Sequence, residues 1–199
     1  MGRSSERGGE ARVNASFRTS TQQVREPQRP HTQGPREHDA RERAAEVIAD
    51  TVAVNLSATM AGVAAVLPAL LSGGQGHVAV VSSVAGYSGL PRACVYGATK
   101  AGLINFAESL FLELRPLGVG VHVINPGFVS TRLTAGNDFT MPALIDPPTA
   151  AAAVIDGFAR GDFDIHFPKR FSRVLKLLRL LPYGLYFPLV RRLTGGGGL

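Results

Sequence analysis

Three side chains in one short stretch carry the groups that proton transfer at an oxygen atom requires: the hydroxyl of Ser83, the phenol of Tyr96 and the ammonium of Lys100. Tyr96 and Lys100 stand four positions apart, near the start of a segment whose apolar residues, among them Ala98, Ala101, Leu103, Phe106 and Leu110, recur at roughly helical spacing. That spacing puts the phenol and the ammonium on one helix face. A phenol titrates near pKa ~10 in water, and an adjacent ammonium stabilises the phenolate and brings it toward working pH. A Tyr so tuned passes a proton to or from an alcohol or carbonyl oxygen.

The elements that must hold these groups follow from the flanking sequence. His77-Val-Ala-Val-Val81 is an apolar run, bounded upstream by glycines and too short for a typical helix, so it reads as a buried strand of a parallel sheet. Ser83 then falls at the C-terminal edge of that strand, the edge at which open α/β sheets gather ligands. A second run, Val119 to Ile124, reads as another strand covered on both faces. For the Tyr-x-x-x-Lys pair alone, an amphipathic helix with a solvated Lys is the competing reading.

The surroundings of the pair narrow the choice. Ser82-Ser83-Val-Ala-Gly86 precedes it, an Ala-rich helix follows, and Asn125-Pro126-Gly127 closes the next strand. With Tyr96-Gly-Ala-Thr-Lys100, these residues resemble the active site of the short-chain dehydrogenase/reductase family. The resemblance implies an α/β fold, here an incomplete Rossmann-like doubly wound parallel sheet. It also implies an oxidoreductase moving a hydride between NAD or NADP and a secondary alcohol or ketone. Tyr96 would be the acid/base, Lys100 would lower its pKa and hold the nicotinamide ribose, and Ser83, rather than its rival Ser82, would hydrogen-bond the substrate oxygen. Asn55, in Val54-Asn-Leu-Ser, matches the family's Asn that bulges its helix and holds a water connecting the Lys to solvent. Pro126 and Gly127 match a Pro-Gly turn, after which the backbone at Val129 meets the nicotinamide carboxamide and the Thr131 hydroxyl meets the cofactor. The helices around Asn55 and Tyr96 commonly form a homo-oligomer face in the family.

The resemblance covers about residues 45–199, the second half to three-fifths of a typical member. No strand followed by Gly-x-x-x-Gly-x-Gly occurs in the chain, and the residues that choose NAD or NADP have no counterpart. Residues 1–43, rich in Arg, Pro, Gln and Ser, cannot bury enough apolar surface to offset their ordering entropy and read as a disordered segment. Residues 44–168 form the partial catalytic region and 169–199 a basic amphipathic tail. Two functions compete: an oxidoreductase weakened by the missing dinucleotide-binding half, and a catalytically inactive truncated fragment serving as an interaction or membrane-surface module.

Composition sets the remaining bounds. With 45% hydrophobic residues, the 199-residue chain can bury one good core. One Cys forbids an intrachain disulfide, compatible with the cytoplasm, and no metal-ligand spacing stands out. No uninterrupted apolar run approaches the ~20 residues of a membrane-spanning helix. The net charge of +6 comes from the Arg-rich start and from the tail. At the start, acids are interspersed with the arginines and no aromatic platform is present, which argues against a nucleic acid partner. The tail either lies on an anionic membrane surface or packs on the domain or a sister subunit. Residues 134–148 stand where the family carries a substrate lid, and Thr149 is expected to cap a helix over 149–160. Mostly apolar pocket walls suit a small hydrophobic alcohol or ketone.

Overall fold

The computed structural model describes residues 37–91, 93–132, 134–135 and 141–194, with side chains from residue 45 onward. The expectation of disorder over 1–43 lies outside the described residues as far as residue 36, and residues 37–43 are already helical. Residue 133, lid positions 136–140 and the glycine-rich end 195–199 also lie outside them.

Helix α1 (Glu37–Val52), a π turn (Ala53–Ser57) and α2 (Ala58–Gly73) run on as one rod, because Val52, Ser57 and Ala58 all keep right-handed helical dihedrals. Gly74, at φ 64°, ends the rod in the left-handed conformation that glycine adopts without a Cβ penalty. Strand β1 (Gly76–Val81) leads through a 3-10 turn (Val84–Gly86) into α3 (Cys94–Leu114). Strand β2 (Val119–Pro126), α4 (Pro147–Ala159), β3 (Asp164–Phe167), α5 (Lys169–Arg179) and α6 (Tyr183–Leu193) complete the order.

The three strands form a parallel sheet in the order β1-β2-β3. Val78 stands opposite Val121, Val80 opposite Val123, and Asn125 opposite His166. Because side chains alternate between faces, Val78, Val80, Val121 and Val123 share one face, which packs with Val63 of α2 and with Leu103, Ala107 and Leu110 of α3. The other face carries Ile124, Ile165 and Phe167 against Ala153, Val154 and Phe158 of α4. Leu103 is fully buried, and such burial contributes about 1.5–3 kcal/mol.

Strand β2 is covered on both faces as its apolar run predicts, but β1 is not. Val81 is 54% exposed, because among the described residues α4 is the helix on that face and its core contacts are to β2 and β3. An unbroken apolar run therefore marks two-sided burial only where helices reach both sides. Helix α4 also departs from expectation: it begins at Pro147, and its cap is Asp146, whose carboxylate accepts the Thr149 N–H at 2.8 Å. Two prolines fit the first helical positions, where no backbone donor is needed.

Residues Ala45–Gly73, within which an 18-residue window has mean hydropathy 1.8, are long and apolar enough to cross a membrane by length and composition. Counting only uninterrupted apolar residues missed this, since after Glu46 and Asp50 the run is broken only by uncharged residues such as Asn55, Ser57, Thr59 and Pro68. In the fold Leu56, Leu67 and Leu70 pack against the core, while Val47, Ile48, Val54 and Val66 stay exposed.

Candidate active site

Ser82 and Ser83 leave β1 with different tasks. Ser82 is buried, and its hydroxyl donates to the Lys100 carbonyl at 2.7 Å, fixing the strand end to α3. Ser83 has extended backbone and caps the 3-10 turn, its Oγ accepting the Ala85 N–H at 3.2 Å and lying 3.4 Å from the Pro126 carbonyl. Gly86 then lies directly on α3: a Cβ there would come within 2.7 Å of the Lys100 carbonyl carbon and 2.8 Å of the Ala101 nitrogen. The turn reaches the helix backbone only because this residue has no side chain.

Helix α3 presents Tyr96 and Lys100 to that corner on one face. The Lys100 ammonium sits 5.6 Å from the Tyr96 ring centroid and donates to the Val81 carbonyl at 3.1 Å. The Ser83 side chain lies close enough to the Tyr96 phenol to act on its acidity. Ser83, Tyr96, Lys100 and Pro126 thus meet at the C-terminal ends of two neighbouring parallel strands.

The electrostatics differ from the simple picture of a lysine acidifying a phenol. Burial raises the Tyr96 pKa above its ordinary 10, with the Ser83 hydroxyl opposing the rise, although 43% of the residue's surface is open. Burial likewise lowers the Lys100 pKa from its ordinary 10.5. The ammonium lies over the ring and is held by a backbone carbonyl, so it favours the ring's π face while desolvation sets the phenol's acidity. At neutral pH the group offered is a protonated phenol.

Asn55 falls within the π turn, where the resemblance places a bulge. Its Nδ2 donates to the buried Thr99 hydroxyl at 3.4 Å, and that hydroxyl donates to the Tyr96 carbonyl at 2.8 Å. Asn55 is therefore joined to the turn carrying Tyr96 through a residue that the sequence reading passed over. The available signal was Thr99's place on α3, three residues after Tyr96, from which a threonine hydroxyl can bond back to a carbonyl.

Beyond Pro126, the Gly127 N–H donates to the Phe167 carbonyl at 2.7 Å, tying the turn to β3. Val129 bridges Ile145 in parallel through the Phe128 carbonyl and the Ser130 N–H, so its own N–H and C=O point to the opposite side. Thr134, also overlooked, donates to the Val129 carbonyl at 2.7 Å and accepts the Thr131 N–H at 2.9 Å. Thr131 is exposed. Among the described residues no cluster of three or more His, Cys, Asp or Glu is arranged for a metal.

Comparison with known proteins shows the family. The family model described as short chain dehydrogenase matches residues 34–140, more than half of the chain. An uncharacterized oxidoreductase of Myxococcus xanthus is 38% identical over 148 residues, 74% of this chain and 58% of the relative. The chain thus spans less than two thirds of that relative's length. A short-chain dehydrogenase from Sphingobium yanoikuyae, solved in complex with NADPH, superposes with a TM-score of 0.59 at 26% identity, covering 65% of this chain and 54% of the other. A bulky-bulky ketone specific alcohol dehydrogenase from Comamonas testosteroni gives 0.56 at 26% identity, covering 70% and 56%.

Proposed function

Since the chain belongs to the short chain dehydrogenase family, we propose that it is the catalytic portion of an oxidoreductase acting on a hydrophobic secondary alcohol or ketone with NAD or NADP. The observation that carries this reading is the convergence of the Tyr96 phenol, the nearby Ser83 hydroxyl and the Lys100 ammonium, 5.6 Å from the Tyr96 ring centroid, at the ends of β1 and β2. Tyr96 is the proton donor to a ketone oxygen, or the acceptor from an alcohol in the reverse direction. Ser83 shares the hydrogen bond to that oxygen and orients it. Lys100 supplies donors for ribose hydroxyls, and Asn55, acting through Thr99, holds the turn that carries Tyr96. Val129, with its backbone facing away from Ile145, and Thr131 hold the carboxamide end. A bound nicotinamide supplies the hydride that the protein's own groups cannot.

The donors at this corner fit the nicotinamide and ribose. The 199 residues contain no Gly-x-x-x-Gly-x-Gly turn to receive a pyrophosphate, so dinucleotide affinity of this chain is expected to be low. That absence favours the second reading, an interaction or membrane-surface module without turnover. Titrating NADH and NADPH into the purified protein while following reduction of an apolar aryl ketone separates the two. Saturable binding with ketone-dependent oxidation supports the oxidoreductase, and absence of both at millimolar cofactor leaves the module.

Two partner surfaces belong to the same proposal. The exposed outer face of α1, the π turn and α2, with Val47, Val54 and Val66, together with Leu112 of α3, suits a second copy of the chain. Helix α6 leaves Tyr183, Leu185, Phe187 and Leu193 exposed near Arg191 and Arg192, which suits an anionic bilayer surface on the cytoplasmic side. Sedimentation with phosphatidylserine vesicles but not phosphatidylcholine vesicles is the expected result.

A further inference from the structure

Helix α5 turns one side inward: Ser172 is fully buried, and Phe171 and Leu175 pack against the core. On that side it borders a cleft of about 700 Å³ floored by Tyr87, Ile104, Val123 and Asn125. Its other side meets solvent. There Val174, Leu177 and Leu180 recur every third residue as one apolar stripe, with Arg170 and Arg173 on the same side. The turn into α6 follows, and Leu177, Leu180 and Tyr183, at 65%, 78% and 75%, are among the most exposed large apolar side chains of the described residues. Tyr183 and Phe187 stack in the open with ring centroids 5.2 Å apart.

Charge decides what can cover this surface. No Asp or Glu follows Asp164 in the sequence, and Asp164 itself is paired with Lys176. Lys169, Arg170, Arg173, Arg179, Arg191 and Arg192 are all exposed, with no acid on either helix to offset them. A second copy seated here through a twofold axis would bring these cations against their own counterparts. An anionic phospholipid surface instead takes the apolar stripe among its acyl chains and the guanidiniums among its phosphates, with the Arg stems laid along the boundary.

Helix α6 is held to the body of the protein through its two buried residues, Tyr186 and Val190. The Tyr186 hydroxyl donates to the Gly89 carbonyl at 2.8 Å, and Gly89 belongs to the loop that runs from Ser83 to Tyr96. An 11-residue helix that leaves Leu185, Phe187 and Leu193 in water has little to hold it by itself. A surface that binds its outer side therefore also steadies the strut on Gly89, by linkage.

We propose that the α5–α6 hairpin docks on an anionic bilayer with the Leu180 turn inserted, and that docking, through Tyr186, orders the Gly89 loop of the Tyr96 corner. The inference rests on the bilayer reading of α6 and needs neither cofactor nor turnover.

Hydrogen exchange of the full chain, followed by mass spectrometry with phosphatidylserine vesicles, phosphatidylcholine vesicles or no lipid, tests it beside sedimentation. Phosphatidylserine is expected to slow exchange several-fold in residues 84–91 and 183–193 alike, and phosphatidylcholine to slow neither. Tyr186→Phe should sediment within about twofold of the native chain and keep the slowing in α6, yet lose it in residues 84–91. Leu180→Glu, at a side chain 78% exposed, should leave Tm unchanged, cut sedimentation at least about tenfold and abolish both effects. Failure to sediment with phosphatidylserine overturns the bilayer reading and this inference together. Sedimentation without slowing of residues 84–91 overturns the inference alone, as does a slowing of that loop that survives Tyr186→Phe. If Tyr186→Phe does not fold, Leu180→Glu decides, and loop slowing by lipid that persists in it overturns the proposal. A lipid-independent dimer that Leu180→Glu dissociates also overturns it, because a second copy would then cover the surface.

Discussion

The corner at Ser83, Tyr96 and Lys100 and the cleft floored by Tyr87 and Asn125 share the loop after β1 and the end of β2, yet they treat polar groups in opposite ways. In the corner nearly every donor is engaged inside the chain: Ser82 on the Lys100 carbonyl, Lys100 on the Val81 carbonyl, Thr99 on the Tyr96 carbonyl. The phenol lies beside Ser83 and Lys100 and still keeps 43% of its residue's surface open, so it is accessible. In the cleft the phenol and the amide oxygen are closed off from solvent, with no partner among the described residues. A preorganised group that stays open is ready to act on what arrives, whereas an enclosed one is closed to it.

This contrast can be broken by substitution. Removing a corner group should damage rate more than stability. Lys100→Ala and Ser83→Ala are each expected to cut NADPH-driven ketone reduction about a hundredfold, within the range of lost acid–base support, while thermal unfolding shifts little. A large fall in Tm with unchanged rate would mean that the corner is merely structural.

Asn55→Ala should have a smaller effect, on the order of tenfold in rate, together with about 1 kcal/mol of stability lost with the hydrogen bond to Thr99. Thr99→Val, which removes the same link from the other side, should match it. If the two differ greatly, the route from Asn55 to Tyr96 does not run through Thr99.

The smallest effect sharpens the comparison at the cleft's border. His166 lies 2.6 Å from the Ser172 hydroxyl, and its pKa is pushed down to about 4, first by burial and then by Lys176, Lys169 and Arg173 against the opposing Asp164. Between about pH 4 and the ordinary 6.5 the unfolded chain binds more protons at this site, so stability falls as pH drops through that window. Buried His122, also shifted down, acts in the same direction. His166→Gln should flatten the dependence in denaturant titrations, and an unaltered slope would assign it elsewhere.

How far each region could be read in the sequence follows from how it is assembled. Ser83, Tyr96 and Lys100 lie within eighteen residues, on one loop and the first turns of one helix, so spacing alone brings them together. The Asn55 bulge was legible through a local motif, but its link to Thr99 joins residues 44 apart and depends on how α2 and α3 pack. The cleft draws on Tyr87, Ile104, Asn125, Asp164 and Arg179, which only the β2–β3 register and the return of α5 assemble. The sign of the Tyr96 pKa shift was missed for a related reason. Helical spacing places a charge beside a phenol, but the desolvation that outweighs it belongs to the folded surroundings.

Tyr96 as the proton donor is tested most directly by single-turnover reduction of an apolar aryl ketone at the highest attainable NADPH, comparing the native chain with Tyr96→Phe. A fall of at least about a hundredfold, with NADPH binding retained, is expected for loss of a general acid. Turnover within a few-fold of the native chain would contradict it.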